Sequence, residues 1–121
     1  MITTITIGPG YLTAAFDGTH LWVAQDDHPL AKLDLTTNTI IDTVTVTVTV
    51  TVGTNPTTMA YDGTHLWVVN NGSNNVTKID PLTDTVLTTI AVGTTPTGIA
   101  YDDTNIWVAN RADNTVTKLL R

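Results

Sequence analysis

Three near-copies of one ten-residue segment constrain this chain more than any other feature: FDGTHLWVAQ from Phe16 to Gln25, YDGTHLWVVN from Tyr61 to Asn70 and YDDTNIWVAN from Tyr101 to Asn110. Their tryptophans, Trp22, Trp67 and Trp107, lie 45 and 40 positions apart. A period of that size suits one four-stranded propeller blade or one solenoid repeat. The blade is preferred because each copy holds four short strand signals and no helix signal. In the second copy the strands are expected at 57–61, 65–70, 75–79 and 85–92. Asp62-Gly63 supplies the first turn, where two positive φ angles come cheaply, Asn71-Gly72 the second, and Asp80-Pro81 to Asp84 the third. Gly93 and Pro96 mark the crossing to the next copy. Three hairpins in succession make an antiparallel meander.

Alternation puts Leu66 and Val68 on one face of the second strand and Trp67 and Val69 on the other. Both faces are apolar, so a free-standing meander is excluded and each sheet must be sandwiched between neighbours. Ala15, Ala60 and Ala100 recur on the innermost strands, where room around the hub is short. Composition agrees with an all-β chain. Thr is 28 of 121 residues, there is no Glu, and one Gln is present; Thr and Val favour pleated strands over helices.

The segment WVVNNGSNNVTKIDPLTDTVLTTIAVGTTPTGIAYD, Trp67 to Asp102, resembles β-propeller repeats of the YVTN and NHL type. It is most similar to those of bacterial proteins related to streptogramin lyase, and the resemblance covers essentially the whole chain. It implies a propeller. A lyase activity would require different blades to contribute catalytic His residues and a metal-bound carboxylate to one asymmetric site. No catalytic position of that family is carried over here, because fold does not fix chemistry.

The opening TTITIG, Thr3 to Gly8, matches TTIAVG, Thr88 to Gly93, the end of an outermost strand. VTKLL, Val116 to Leu120, matches VTKID, Val76 to Asp80, and stops after a third strand. The expected organisation is therefore a single half-propeller over 1–121. An outer strand at 2–7 completes a partner's last blade, blade 1 spans about 11–52, blade 2 about 57–92, and blade 3 about 97–120 without its outer strand. Three blades cannot close a ring, since propellers have at least about four. Two copies give a six-bladed ring closed by homodimerisation with strand exchange, and three copies give nine blades; the dimer is favoured. The expected interface residues are Ile2, Thr4, Ile5, Thr6 and Ile7 on one side and Val116, Thr117, Lys118 and Leu119 on the other.

Two departures between copies stand out. Asp34 to Gly53 is 19 positions against 13 from Asp80 to Gly93, and the extra six are expected within TVTVTVTVTVG, residues 43–53, extending or bulging the outer strand. The turn QDDHPLA, Gln25 to Ala31, holds Asp26, Asp27 and His28 where the other copies carry NNGSNNV and NRADNTV. Such loops surround a propeller's channel mouth. Asp26, Asp27 and His28, with Arg111 and Asp113 of the third copy, are the candidate ligand-binding residues, although a solvated polar hairpin tip is the favoured reading of the Asp26–His28 turn. His20 and His65, in separate blades, are too far apart for one metal ion. Asp17, Asp62 and Asp102 are read as turn residues, and the three Trp as packing residues.

Net charge is −6, with 5 Lys plus Arg against 11 Asp, which argues against nucleic acid and anionic membrane partners. Cys is absent, so no disulfide, thiolate metal site or Cys nucleophile exists. No apolar run is long enough to span a bilayer, and MITTITIGPG lacks the pattern of a signal peptide; cytoplasmic location is the default expectation. No Ser/His/Asp set, paired Glu or phosphate loop is present. The expected function is a non-catalytic, self-assembling scaffold or binding propeller with no catalytic residue, metal or cofactor, and with itself as partner. The alternatives are a designed or recently amplified fragment without activity and a lyase-like enzyme.

Overall fold

The computed structural model describes residues 10–25, 30–34, 45–50 and 52–121. Among them are eleven strands and no helix. β1 (Tyr11–Phe16), β2 (Leu21–Gln25), β3 (Leu30–Asp34) and β4 (Thr45–Val50) form one antiparallel meander. β5 (Pro56–Tyr61), β6 (Leu66–Asn70), β7 (Asn75–Asp80) and β8 (Thr85–Ala91) form the second. β9 (Pro96–Tyr101), β10 (Asn105–Asn110) and β11 (Thr115–Leu120) form a third, three-stranded sheet. The first strand of each sheet, β1, β5 and β9, lies beside the next. The repeat therefore becomes three sheets side by side, each one copy.

Packing follows the strand alternation. Leu66, Val68 and Ile79 of the second sheet meet Trp22, Ala24 and Leu30 of the first. Trp67, Val69 and Val76, on the opposite face, meet Ile106, Val108 and Leu119 of the third. Every named residue of these two layers is less than 10 % exposed. The tryptophan face of one copy thus buries itself against the non-tryptophan face of the next, with each fully buried Leu, Ile or Val side chain contributing about 1.5–3 kcal/mol. The recurring alanines have a direct explanation. Ala15, Ala60 and Ala100 are the cross-strand partners of Trp22, Trp67 and Trp107, where a larger side chain would contend with the indole for the same face.

The turns depart from expectation in instructive ways. The first hairpin of the second sheet centres on Gly63-Thr64, not Asp62-Gly63: Asp62 N–H donates to His65 O at 3.1 Å, and only Gly63 has a positive φ, 91°. In the second turn the left-handed residue is Asn74 (φ 53°), while Gly72 serves a close approach. Its N–H donates to Thr54 O at 3.0 Å, and a Cβ there would sit 3.0 Å from Thr54 Cγ2. Gly53 and Gly93 share that reason, since a Cβ at either would fall within 3 Å of the Asn70 or Asn110 side chain.

The six extra residues of the first copy are not in the outer strand. Asp34 pairs with Thr45 and Leu30 with Val50, as Asp80 pairs with Thr85 and Val76 with Ile90. The register irregularity between Lys32 and Leu33 recurs between Lys78 and Ile79, so it belongs to the repeat and not to the insertion. Val50 precedes Gly53 by the same three positions that separate Ile90 from Gly93. The insertion therefore falls between Asp34 and Thr45, in residues 35–44, all of which lie outside the described set. A Val-Thr alternation keeps its pattern under any two-residue slip, so only pairing with β3 locates it.

Asp103 takes φ 72° at the position where Gly18 and Gly63 stand at 95° and 91°. A side chain is strained there. Asp103→Gly is expected to raise stability by about 0.5–1 kcal/mol, read as a higher urea midpoint at unchanged slope.

Candidate functional site

Each copy begins its first hairpin with an aspartate that acts as a three-point clamp. Asp62 Oδ1 accepts from Thr64 N–H at 2.8 Å and His65 N–H at 2.7 Å, and Oδ2 accepts from the Trp67 indole at 2.8 Å. Asp17 repeats this with Thr19, His20 and Trp22 at 2.9, 2.7 and 2.8 Å. Asp102 repeats it with Thr104, Asn105 and Trp107 at 2.9, 2.6 and 2.7 Å. One carboxylate thereby fixes the turn and aims the indole. Above the indoles stand Lys32, Lys78 and Lys118, whose Nζ atoms lie 5.3, 5.0 and 5.6 Å from the ring centroids of Trp22, Trp67 and Trp107.

The clefts between neighbouring sheets open beside these clamps. Between the second and third sheets the cleft is filled by Arg121. Its Nε lies 3.4 Å from Asp62 Oδ2, its Nη2 donates to Thr64 Oγ1 at 3.0 Å, and its guanidinium sits 5.4 Å from the Tyr101 ring centroid. Between the first and second sheets a cavity of about 270 Å³ is bordered by Asp17, Thr19 and His20, by Lys32, Tyr61 and Pro81, and also by Gly63 and Thr64 of the next hairpin. Lys32 spans this boundary, donating to Asp84 Oδ1 at 2.8 Å and to Pro81 O at 3.0 Å.

Charge in the clamps is well supported. Burial disfavours the Asp62 carboxylate, yet the His65 N–H, the Trp67 indole, the Thr64 N–H and the Arg121 guanidinium together hold its pKa below the ordinary 3.8. In Asp17, burial is likewise outweighed by His20 N–H, the Trp22 indole and Thr19 N–H. Asp102 is lowered chiefly by Asn105 N–H, then by the Trp107 indole.

Of the residues singled out from the sequence, Asp26, Asp27 and His28 lie outside the described residues, as do Ile2, Thr4, Ile5, Thr6 and Ile7. Arg111 and Asp113 share the exposed β10–β11 loop. Asp113 Oδ2 accepts from Thr94 N–H at 2.6 Å, and Arg111 N–H donates to Thr95 O at 2.9 Å. Both therefore strap the crossing from the second sheet to the third. Alternation divides the other interface candidates. Val116 and Lys118 share the exposed side with Trp107, whereas Leu119 is buried against the second sheet and Thr117 Oγ1 accepts from Asn110 Nδ2 at 2.8 Å. The His20 and His65 backbones serve the clamps, and among the described residues no group of three or more His or Asp is arranged to hold a metal ion. Sequence reading missed Arg121, Tyr61, Tyr101 and the lysines over the indoles. The recurrence of Lys ten or eleven positions after each Trp was the available signal.

No family model matches the sequence, and no curated protein matches it. Solved structures do. The chain is similar to hydrazine synthase of Kuenenia stuttgartiensis, with TM-score 0.67 and 23 % identity, over 97 % of this chain and 37 % of that one. It is also similar to a functionally unknown protein of Desulfotomaculum acetoxidans DSM 771, with TM-score 0.76 and 15 % identity, over 99 % and 44 %. Hsv2 of Kluyveromyces lactis follows with TM-score 0.59 and 10 % identity, over 92 % and 33 %. The fold is β-propeller-like. The chain spans less than half the length of each of these proteins, and at such identities the likeness concerns architecture alone. No helix among the described residues is long and apolar enough to cross a membrane.

Because the clamp carboxylates have depressed folded-state pKa values, their contribution to stability is complete above the unfolded value near 3.8 and is lost as pH falls through the folded values. The urea midpoint is expected to stay level down to about pH 5 and to drop below about pH 4. Asp62→Asn should lower the midpoint at neutral pH and shallow the acid decline; an unchanged acid limb would contradict the clamp.

Proposed function

We propose that the chain is a non-catalytic, self-assembling β-propeller module whose three blades are completed to a six-bladed ring by a second copy. The carrying observation is the open tryptophan face of the third blade. Trp22 and Trp67 are fully buried by the following blade, while Trp107 is 36 % exposed and Val116, the counterpart of buried Val76, is 61 % exposed. That face needs a neighbour of the kind that Ile106, Val108 and Leu119 provide for Trp67, and the repeat itself encodes such a surface in Leu21, Val23 and Leu33. In the single chain Val23 and Leu33 are already buried, at 3 % and 1 %. Ring closure there exchanges one cover for another, and the driving force comes from the Trp107 side and from strand pairing.

The third sheet favours the same reading. It has three strands where the others have four, and β11 has no outer partner among the described residues. An unpaired edge beside an apolar face invites another strand. The sequence from Thr3 to Gly8, which matches Thr88 to Gly93, is the proposed strand from the partner. The YVTN-like repeats belong to this reading as its evolutionary frame. The non-catalytic character is supported by the clamps, whose carboxylates are engaged in holding turns and indoles. The channel-mouth loops with Asp26, Asp27, His28, Arg111 and Asp113 are where a ligand of the ring would bind.

Light scattering coupled to size exclusion is expected to give a mass of two chains, each of 12.9 kDa. A single-chain mass at all concentrations, or a three-chain mass, would overturn the six-bladed ring. Val116→Lys places a charge on the open face without touching the Trp107 clamp. It should weaken the dimer by about tenfold or more while leaving the far-ultraviolet circular dichroism of the strands intact.

A further inference from the structure

We infer that the cleft between the first and second blades is a binding site for a guanidinium group, because the next cleft along the chain holds one in the same frame. In that second cleft Asp62 supplies the carboxylate, Thr64 the hydroxyl and Tyr101 the aromatic face for Arg121. The first cleft offers the matching set in Asp17, Thr19 and Tyr61, from identical positions of the repeat. What differs is the plug. Arg121 follows β11 where Pro81 follows β7, and proline leaves the cavity of about 270 Å³ that Arg121 would otherwise occupy.

The chemistry of the empty frame suits a planar cation. Among the described residues Asp17 Oδ1 is engaged by two backbone N–H groups and Oδ2 by the Trp22 indole, which leaves Oδ2 a second lone pair to offer. Asp62 uses the corresponding oxygen toward Arg121 Nε. Lys32 also borders the cavity, but it is engaged by Asp84 at 2.8 Å; among the described residues Asp17 has no Lys or Arg ion-pair partner, and the His20 imidazole Nδ1 lies 3.8 Å from its Oδ2. A guanidinium forks between a carboxylate and a hydroxyl and stacks on a tyrosine ring, which an ammonium cannot do in one geometry. The ligand is therefore a small guanidinium compound or an arginine side chain presented by a peptide. This assignment is independent of ring closure, since both walls of the cleft belong to one chain.

The test is a titration of the ¹⁵N-labelled chain with methylguanidinium, following the indole N–H resonances. Trp22 reports on Asp17 and is expected to shift saturably with a midpoint of roughly 1–10 mM. Trp67 is expected to shift less than Trp22, because Arg121 already occupies its clamp although Thr64 also borders the cavity. Arg121→Ala should make Trp67 respond as Trp22 does. Tyr61→Leu should weaken the Trp22 response about two- to fivefold, with an unmoved Trp107 resonance showing that the fold persists. An arginine-containing peptide that shifts Trp22 at lower concentration than methylguanidinium supports a protein-borne ligand; the reverse order supports a small one. A silent Trp22, a Trp67 that shifts as much as Trp22 in the unaltered chain, or equal shifts with methylammonium would each overturn the assignment.

Discussion

The contact on which the architecture depends is the hydrogen bond from each tryptophan indole to the aspartate that opens its hairpin. A turn fixes only its own four residues, and a tryptophan in a core is satisfied only if its N–H finds an acceptor. Here one carboxylate meets both needs. The ammonium of a lysine on the neighbouring strand stands over the indole ring, and the alanine opposite makes the room. Where the following blade is present, the ring is removed from water entirely. At Trp107, which no further described sheet covers, the clamp persists at 2.7 Å, so the clamp is formed within one sheet and stacking then builds upon it.

Stacking has a second set of ties, made by backbone. The crossing segments at Gly53–Asn55 and Gly93–Thr95 run over the second hairpin loop of the blade they enter, and glycine permits the approach. Asn70 and Asn110, fully or nearly fully buried, each donate to two strand side chains, Asn75 and Thr77 or Thr115 and Thr117. Asn110 also accepts the Gly93 N–H. Blades are therefore joined by an apolar layer and by a polar strap at one end. The cleft at the clamp end carries fewer such ties, which is why a side chain such as Arg121 can occupy it and why the equivalent space beside Asp17 remains a cavity.

Much of this was legible in the residues. The faces of β6 divide as its alternation required, with Leu66 and Val68 against the first sheet and Trp67 and Val69 against the third. Strand positions in the second copy fall within one residue of those read from turn chemistry. The turn centres were less accurate. Asp62-Gly63 has the composition of a two-residue hairpin, but the aspartate side chain takes over the hydrogen bonds that the backbone would have made and displaces the centre to Gly63-Thr64. Gly72 looks like a turn residue in the sequence and is required by a segment 18 positions earlier.

The sequence by itself determined the number of copies, the strand-turn rhythm and the two-sided burial, because these follow from contacts between residues a few positions apart and from alternation with period two. Tertiary structure decided where the extra residues of the first copy reside, since a Val-Thr run fits β3 in several registers and only pairing across the sheet selects one. It also decided what fills each cleft. Arg121 reaches Thr64 across 57 positions of chain, and no local pattern links a residue beyond β11 to the hairpin of the preceding blade. Copies that are alike as strings of residues thus differ as sites, because each cleft is shaped by two copies and the residues that differ between them meet only when the blades stack.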